Sequence, residues 1–278
     1  MKESYKNIVL FKNHKKTELA DKLLSKLFDE AESHDTKVIQ VFDCTDKEKK
    51  VGAFNFSHQD LLNVDFKFAN QTKLDTIQSL YIPTEQKSKE LWFNAEYSIL
   101  YTLLYLTVND IEYDYIWSIE YDVYYSGNWK EFFELYDKSD ADYIGSYIEE
   151  AENSKRDKSY WDLITTNDDT DDIPIEKKAT SFGCIFRISK KLANLVLFTM
   201  TQNLYHSYCE QTFVTIAKMN NLKIEDLCEA PEKEIYHMLS LNGLHTPELI
   251  EYLIKNNFKN YLFHPVRSPE IVNHYENI

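Results

Sequence analysis

The chain has 278 residues, 43% hydrophobic and 28% charged, enough to bury a sizeable core and suited to a single large α/β unit. Its formal net charge of −15 argues against nucleic acid as a partner, because binding a phosphate backbone needs a basic patch. One small anion is a different matter, since a metal ion can supply positive charge locally.

Residues 7–11, NIVLF, form a short apolar run of the buried-strand kind. From Thr17 to about Ser33 the spacing turns helical, with Leu19, Leu23, Leu24, Leu27 and Phe28 expected on one face. Residues 37–43, KVIQVFD, read as a second strand ending in an acid. Strand, helix and strand of these lengths make a βαβ unit, which favours a parallel sheet. Residues 61–68, LLNVDFKF, are expected to be a third strand, and SLYIP a turn into a buried helix over 91–106. That helix is too short and too polar to span a membrane.

Next come a central strand, YDYIWSIEYDV (113–123), a helix over 129–136 and a strand over 141–147. Residues 149–178 are polar and loop-like, with Asp168, Asp169, Asp171 and Asp172 in a run. A calcium loop would need a Gly in its middle and a closing Glu, so this run reads as solvated. Residues 181–189 read as a strand, and 190–200, 209–219 and 247–257 as helices. No internal repeat stands out.

Cys44, Cys184, Cys209 and Cys228 are dispersed and form no C-x-x-C pair, so reduced thiols in a cytoplasmic protein are expected. The N-terminus lacks the apolar stretch and cleavage site of a signal peptide. With no transmembrane segment, the expected location is the cytoplasm, with peripheral association at the inner face of the membrane compatible with it.

Only five glycines occur, Gly52, Gly127, Gly145, Gly183 and Gly243, and no two are close. Dinucleotide turns, P-loops and the Gly-rich loops of kinases and nucleotidyltransferases are therefore excluded. There is no H-E-x-x-H and no G-x-S-x-G. A phosphorylated ligand would have to be neutralised in another way.

Glu120 and Asp122, at the end of the most hydrophobic strand, offer that way. Burying an unpaired carboxylate is costly, so something should compensate. Open α/β sheets bind ligands at the carboxyl edge of their strands. Two hard oxygen donors there suit Mg²⁺ or Mn²⁺, which completes its shell with substrate phosphates. An acid-x-acid pair can also merely cap a turn, and a lone His is ordinarily a hydrogen-bonded core or surface residue.

The pattern of hydrophobic strand, acid-x-Asp and aromatic at 115–125 resembles the metal-binding motif of GT-A-fold glycosyltransferases, which use nucleotide-sugar donors. The βαβ start resembles that family's nucleotide-holding half, SFGCIFRISKK its acceptor-side strand and helix, and YLFHPVR its late metal-completing segment. The resemblance spans roughly residues 5–267 through short motifs. It implies one GT-A-like domain over 1–278 with a mostly parallel, Rossmann-like sheet. Residues 1–125 would be the nucleotide-sugar half, and 126–278 the acceptor half with a C-terminal metal-ligand loop. It also implies Mn²⁺ or Mg²⁺ held by Asp122 and His264, with Glu120 at the metal or reaching the ribose or a metal-bound water. The family's first acid is usually Asp, and Glu120 departs from that.

In inverting members a carboxylate at the start of the helix after the acceptor strand deprotonates the acceptor hydroxyl, and Glu210 matches that place. His206 and Glu232 are weaker substitutes. A helix N-terminus favours an ionised carboxylate, which suits a base and equally suits a plain first-turn acid. Without a base at Glu210, a retaining route stays open. By position, Phe11, Asn13, Trp92, Asn94 and Tyr121 are expected at the donor, and Trp161, Ser181, Phe182 and Gly183 at the acceptor. The expected activity is transfer from a UDP-sugar to a glycan or lipid-linked glycan in bacterial surface polysaccharide assembly. The alternatives are a metal-dependent phosphohydrolase and a catalytically silent carbohydrate- or nucleotide-binding protein.

Overall fold

The computed structural model describes residues 3–14, 17–43, 52–56, 97–161, 173–201, 209–227, 235–239, 255–256 and 259–266. The expected strand at 61–68, the turn after it, Trp92, Asn94, the aspartate run, His206, Glu232 and nearly all of the helix at 247–257 lie outside them.

In chain order the main elements are β1 (Ser4–Asn13), α1 (Glu18–Ala31), β2 (Thr36–Asp43), β3 (Phe54–Phe56), α2 (Tyr97–Val108), β4 (Glu112–Glu120), β5 (Tyr124–Tyr125) and α3 (Trp129–Tyr136). They continue with β6 (Tyr143–Glu150), the one-turn α4 (Lys158–Trp161), β7 (Ala179–Ser189), α5 (Lys190–Thr201), α6 (Cys209–Met219), β8 (Ile224–Asp226), β9 (Tyr236–Leu239) and β10 (Tyr261–His264).

The main sheet has the order β3-β2-β1-β4-β7-β6-β8. The β1 strand pairs in parallel with β2 and β4, and β2 in parallel with β3. Only β7 opposes its neighbours, β4 and β6, while β8 runs parallel to β6. The sheet is therefore mostly parallel, as the βαβ start predicts. Successive residues of β1 serve opposite faces: Val9 and Phe11 join one core, and Ile8 and Leu10 the other. Side chains of α1 and α3 cover the first face, and those of α2, α5 and α6 the second.

The α1 helix starts where the Thr17 hydroxyl accepts the Ala20 N–H at 3.2 Å, a side-chain N-cap. Leu19, Leu23 and Leu27, four apart, make its buried stripe. Phe28, expected on that stripe, lies at its flank and is 38% exposed. Asn128 caps α3 by accepting from the N–H groups of Lys130 and Glu131. The far end of α3 is fixed by Arg187, a fully buried cation on β7. Its guanidinium donates to the carbonyls of Tyr136, Ser139 and Ala141 at 2.7, 3.0 and 2.9 Å and lies 3.9 Å from the Tyr115 ring centroid.

A second, three-stranded sheet of order β5-β10-β9 lies at the carboxyl end of β4. Sequence periodicity shows none of its strands, and the segment around 261–264, read as a loop, is a strand because it gains a partner on each side. The expected loop over 149–178 contains the end of β6, helical turns at 151–153 and 175–177, and α4. Among the described residues no helix is long and apolar enough to cross a membrane.

Candidate functional site

The carboxyl end of β4 carries Glu120, and the chain then turns, with the Val123 N–H bonded to the Glu120 carbonyl at 3.1 Å. That turn sets Tyr121 and Asp122 off the ladder and leads directly into β5. The β10 strand pairs antiparallel with β5, Phe263 opposite Tyr124, so His264 arrives beside the turn. The Val266 N–H donates to the Asp122 carbonyl at 2.8 Å and ties the two segments together.

Three ligand-type side chains meet as a result. His264 Nε2 is 3.3 Å from Glu120 Oε2 and 3.3 Å from Asp122 Oδ1. One ligand atom from each residue lies within 4.8 Å of the others. Asp122 and His264 are buried, whereas the Glu120 side chain is 33% exposed and opens the group to solvent. Donors at right angles around an ion with bonds of about 2.1 Å stand about 3 Å apart. The two carboxylates and the imidazole together could hold a divalent metal ion, the carboxylates being donors of the kind Mn²⁺ and Mg²⁺ take.

Lys12, opposite Glu120 in the β1–β4 register, places Nζ 3.6 Å from Glu120 Oε1. Burial works to raise the Glu120 carboxyl, but Lys12, the His264 bond and charge, and His14 bring it down to about 2. Burial likewise works to lower the His264 imidazole, but its bonds to Asp122 and Glu120 and their charges lift it to about 9. Two carboxylates at the end of an apolar strand are thus compensated by Lys12 and His264. The sequence gives no sign of Lys12 or His14 at the site, because their approach depends on β1 lying beside β4.

Beneath the triad runs the β7 segment Phe182–Gly183–Cys184. Phe182 sets its ring edge to face against His264, centroids 5.2 Å apart. Burial pushes the Cys184 thiol well up, and Glu120, Asp122 and, further down the order, Glu210 push it the same way. Glu210 stands in the first turn of α6, and a Cβ added at Gly183 would lie 3.6 Å from its Cγ. Residues 182–184 therefore separate the triad from Glu210, and the three-ligand cluster does not include that acid.

The other expected contacts divide. Asn13 is buried at the end of β1, and Tyr121 lies against His14, ring centroids 4.9 Å apart, so both border the triad's β1 side. Phe11 is 1% exposed in the core shared with α1, so its ring offers no face to a nucleobase. Trp161 is likewise a core residue at 3% exposure, its carbonyl accepting from Lys178 Nζ at 3.1 Å. The Ser181 hydroxyl is buried against the Tyr143 hydroxyl. Phe182 and Gly183 are half-buried, Phe182 against the His264 ring and Gly183 beside Glu210.

No family model and no curated protein matches this sequence. Among solved structures, the chain is similar to mouse xyloside xylosyltransferase 1 in its apo form, with 11% identity, 94% of this chain and 97% of that one covered, and a TM-score of 0.45. It is similar to a glycosyltransferase involved in glycosylation of the major capsid of PBCV-1, with 8% identity, 98% of each chain and a TM-score of 0.40. It is also similar to the apo form of the bifunctional glycosyltransferase WbbM, with 9% identity, all of this chain but 50% of that one, and a TM-score of 0.41.

Proposed function

We propose that this chain is a metal-dependent glycosyltransferase, moving a sugar from a nucleotide-diphosphate sugar, with UDP as the nucleotide, to a hydroxyl of a glycan or lipid-linked glycan. The observation that carries the reading is the convergence of Glu120, Asp122 and His264 at the carboxyl edge of a mostly parallel sheet. These residues would hold Mn²⁺ or Mg²⁺, which supplies charge neutralisation for a departing diphosphate when bound.

The chain's own groups do the rest. Lys12 keeps Glu120 ionised and oriented, and Phe182 buttresses the His264 ring. Glu210, on the other side of Gly183 and outside the metal cluster, takes the proton from the attacking acceptor hydroxyl. Direct attack with that base inverts the anomeric carbon. The bond from acceptor oxygen to sugar forms as the bond from sugar to diphosphate breaks, and the proton ends on Glu210. Residues 1–125 and 126–278 act as donor and acceptor halves of one catalytic domain, working in the cytoplasm on surface polysaccharide.

Calorimetric titration of UDP and of GDP, with and without Mn²⁺, tests this reading. UDP is expected to bind only with the metal, and to lose that binding in Asp122→Ala. Binding of neither nucleotide under any metal would end it.

A further inference from the structure

Phe182 is the first member of a short chain of rings leading away from the metal triad. Tyr147 on β6 also lies against it, with ring centroids 6.5 Å apart and planes inclined at 48°. Tyr147 is 48% exposed, so the series His264, Phe182, Tyr147 runs from a buried triad to solvent.

The backbone beneath this ring is held in an unusual state. Tyr147 has φ +51°, a left-handed conformation that a bulky aromatic adopts at a steric cost. It sits where β6 slips register against β7, between the pairs Ser146–Phe182 and Glu149–Thr180. Two bonds over-determine the irregularity. Asp226 Oδ2 accepts the Ile148 N–H at 2.6 Å, and the Gly145 carbonyl accepts the Leu227 N–H at 2.7 Å. A glycine would meet this conformation with no steric penalty. An exposed tyrosine stands there instead, and strained residues of this kind collect at ligand sites.

Sheet order places the ring. The β4 strand ends at the triad, with β1, Asn13 and Tyr121 on one side and β7 and then β6 on the other. Tyr147 therefore lies on the flank away from β1, against the same face of β7 as Phe182. We infer that Tyr147, backed by Phe182, is a stacking platform for a pyranose ring of the acceptor, which would lay its C–H face on the aromatic face. The inference rests on the glycosyltransferase reading and adds to it a residue that selects an acceptor carrying a sugar ring with a flat C–H face.

The test uses methyl β-D-glucopyranoside, methyl β-D-galactopyranoside and methyl β-D-xylopyranoside as probes, with binding followed by saturation-transfer NMR with and without UDP and Mn²⁺. Wild type is expected to saturate one face of at least one sugar. Tyr147→Phe is expected to bind within about twofold of it, and Tyr147→Gly about three- to tenfold more weakly, the range that loss of one stacking contact is worth. Melting temperature separates use from support: Tyr147→Gly should melt at or above the wild-type temperature, because glycine relieves the left-handed strain. Unchanged sugar binding in Tyr147→Gly, no binding to wild type, or loss of both sugar and several degrees of melting temperature would each overturn the platform. UDP binding with Mn²⁺ should be the same in all three proteins. Its absence from all three would sink the glycosyltransferase reading separately.

Discussion

Metal binding at this site should be coupled to the loss of one proton. In the metal-free protein His264 is itself the cation that bridges the two carboxylates, 3.3 Å from each. Burial opposes its charge, but the Asp122 and Glu120 interactions win and lift its pKa to about 9. A ligating imidazole must be neutral, so each ion that binds must displace the proton. At pH 7 the proton holds the site about two units below that pKa, which lowers apparent affinity about 100-fold, or about 2.7 kcal/mol. Affinity should then rise about tenfold per pH unit from 6.5 to 8.5. Glu120, held down to about 2, stays ionised throughout and adds no slope. Calorimetry of Mg²⁺ binding at pH 6.5, 7.5 and 8.5, repeated in two buffers of different ionisation enthalpy, reads both affinity and protons released. Wild type should release nearly one proton at pH 7, and His264→Gln none, with a flat pH profile. A flat profile and no proton release in wild type would show that His264 is either neutral without metal or not a ligand.

The same residues set the pH dependence of folding in EDTA. His264 is raised in the folded state, so its stabilisation is complete below its unfolded value near 6.5 and disappears as pH rises through about 9. Glu120 is lowered, so its contribution is present above about 4.5 and disappears as pH falls toward 2. Melting temperature from pH 6.5 to 9 should fall more steeply in wild type than in His264→Gln. Glu210→Gln should slow turnover by about 10²–10⁴, the usual worth of a positioned general base, while UDP affinity in calorimetry stays unchanged. Arg187→Met should lower stability by about 3 kcal/mol or more in urea denaturation, because three carbonyls at the end of α3 and in the segment after it lose a buried charged donor.

Long elements were readable because their spacing is set by their own burial. Leu19, Leu23 and Leu27 mark α1, and the helix expected over 129–136 is α3, capped by Asn128 as the sequence would allow. The short strands β5, β8, β9 and β10 were not readable, since two to four residues are too few to show alternation and exist as strands only through partners. The same limit explains Phe11 and Trp161. An aromatic ring beside a site and one in the core have the same sequence context, and only the packing of α1 on Phe11 and of the second core on Trp161 decides. Tyr147 left no mark for a related reason: its exposure follows from a register slip between β6 and β7 that no periodicity records.

The strand that ends in Glu120 can be so apolar and still end in acid because its neighbours are fixed. Parallel pairing of β1 with β4 brings Lys12 to Glu120, and antiparallel pairing of β5 with β10 brings His264 to Asp122. Both partners come from other strands and so are placed by strand pairing, and the Glu120 side chain stays one-third exposed. The reversal of β7 has a further consequence. It carries Phe182, Gly183 and Cys184 under the triad, with Glu210 over the one residue that lacks a side chain. A Cβ at Gly183 would stand in ordinary contact with Glu210, 3.6 Å from its Cγ. Among the described residues Glu210 lies outside the three-ligand cluster, which leaves its carboxylate for the proton transfer proposed for it.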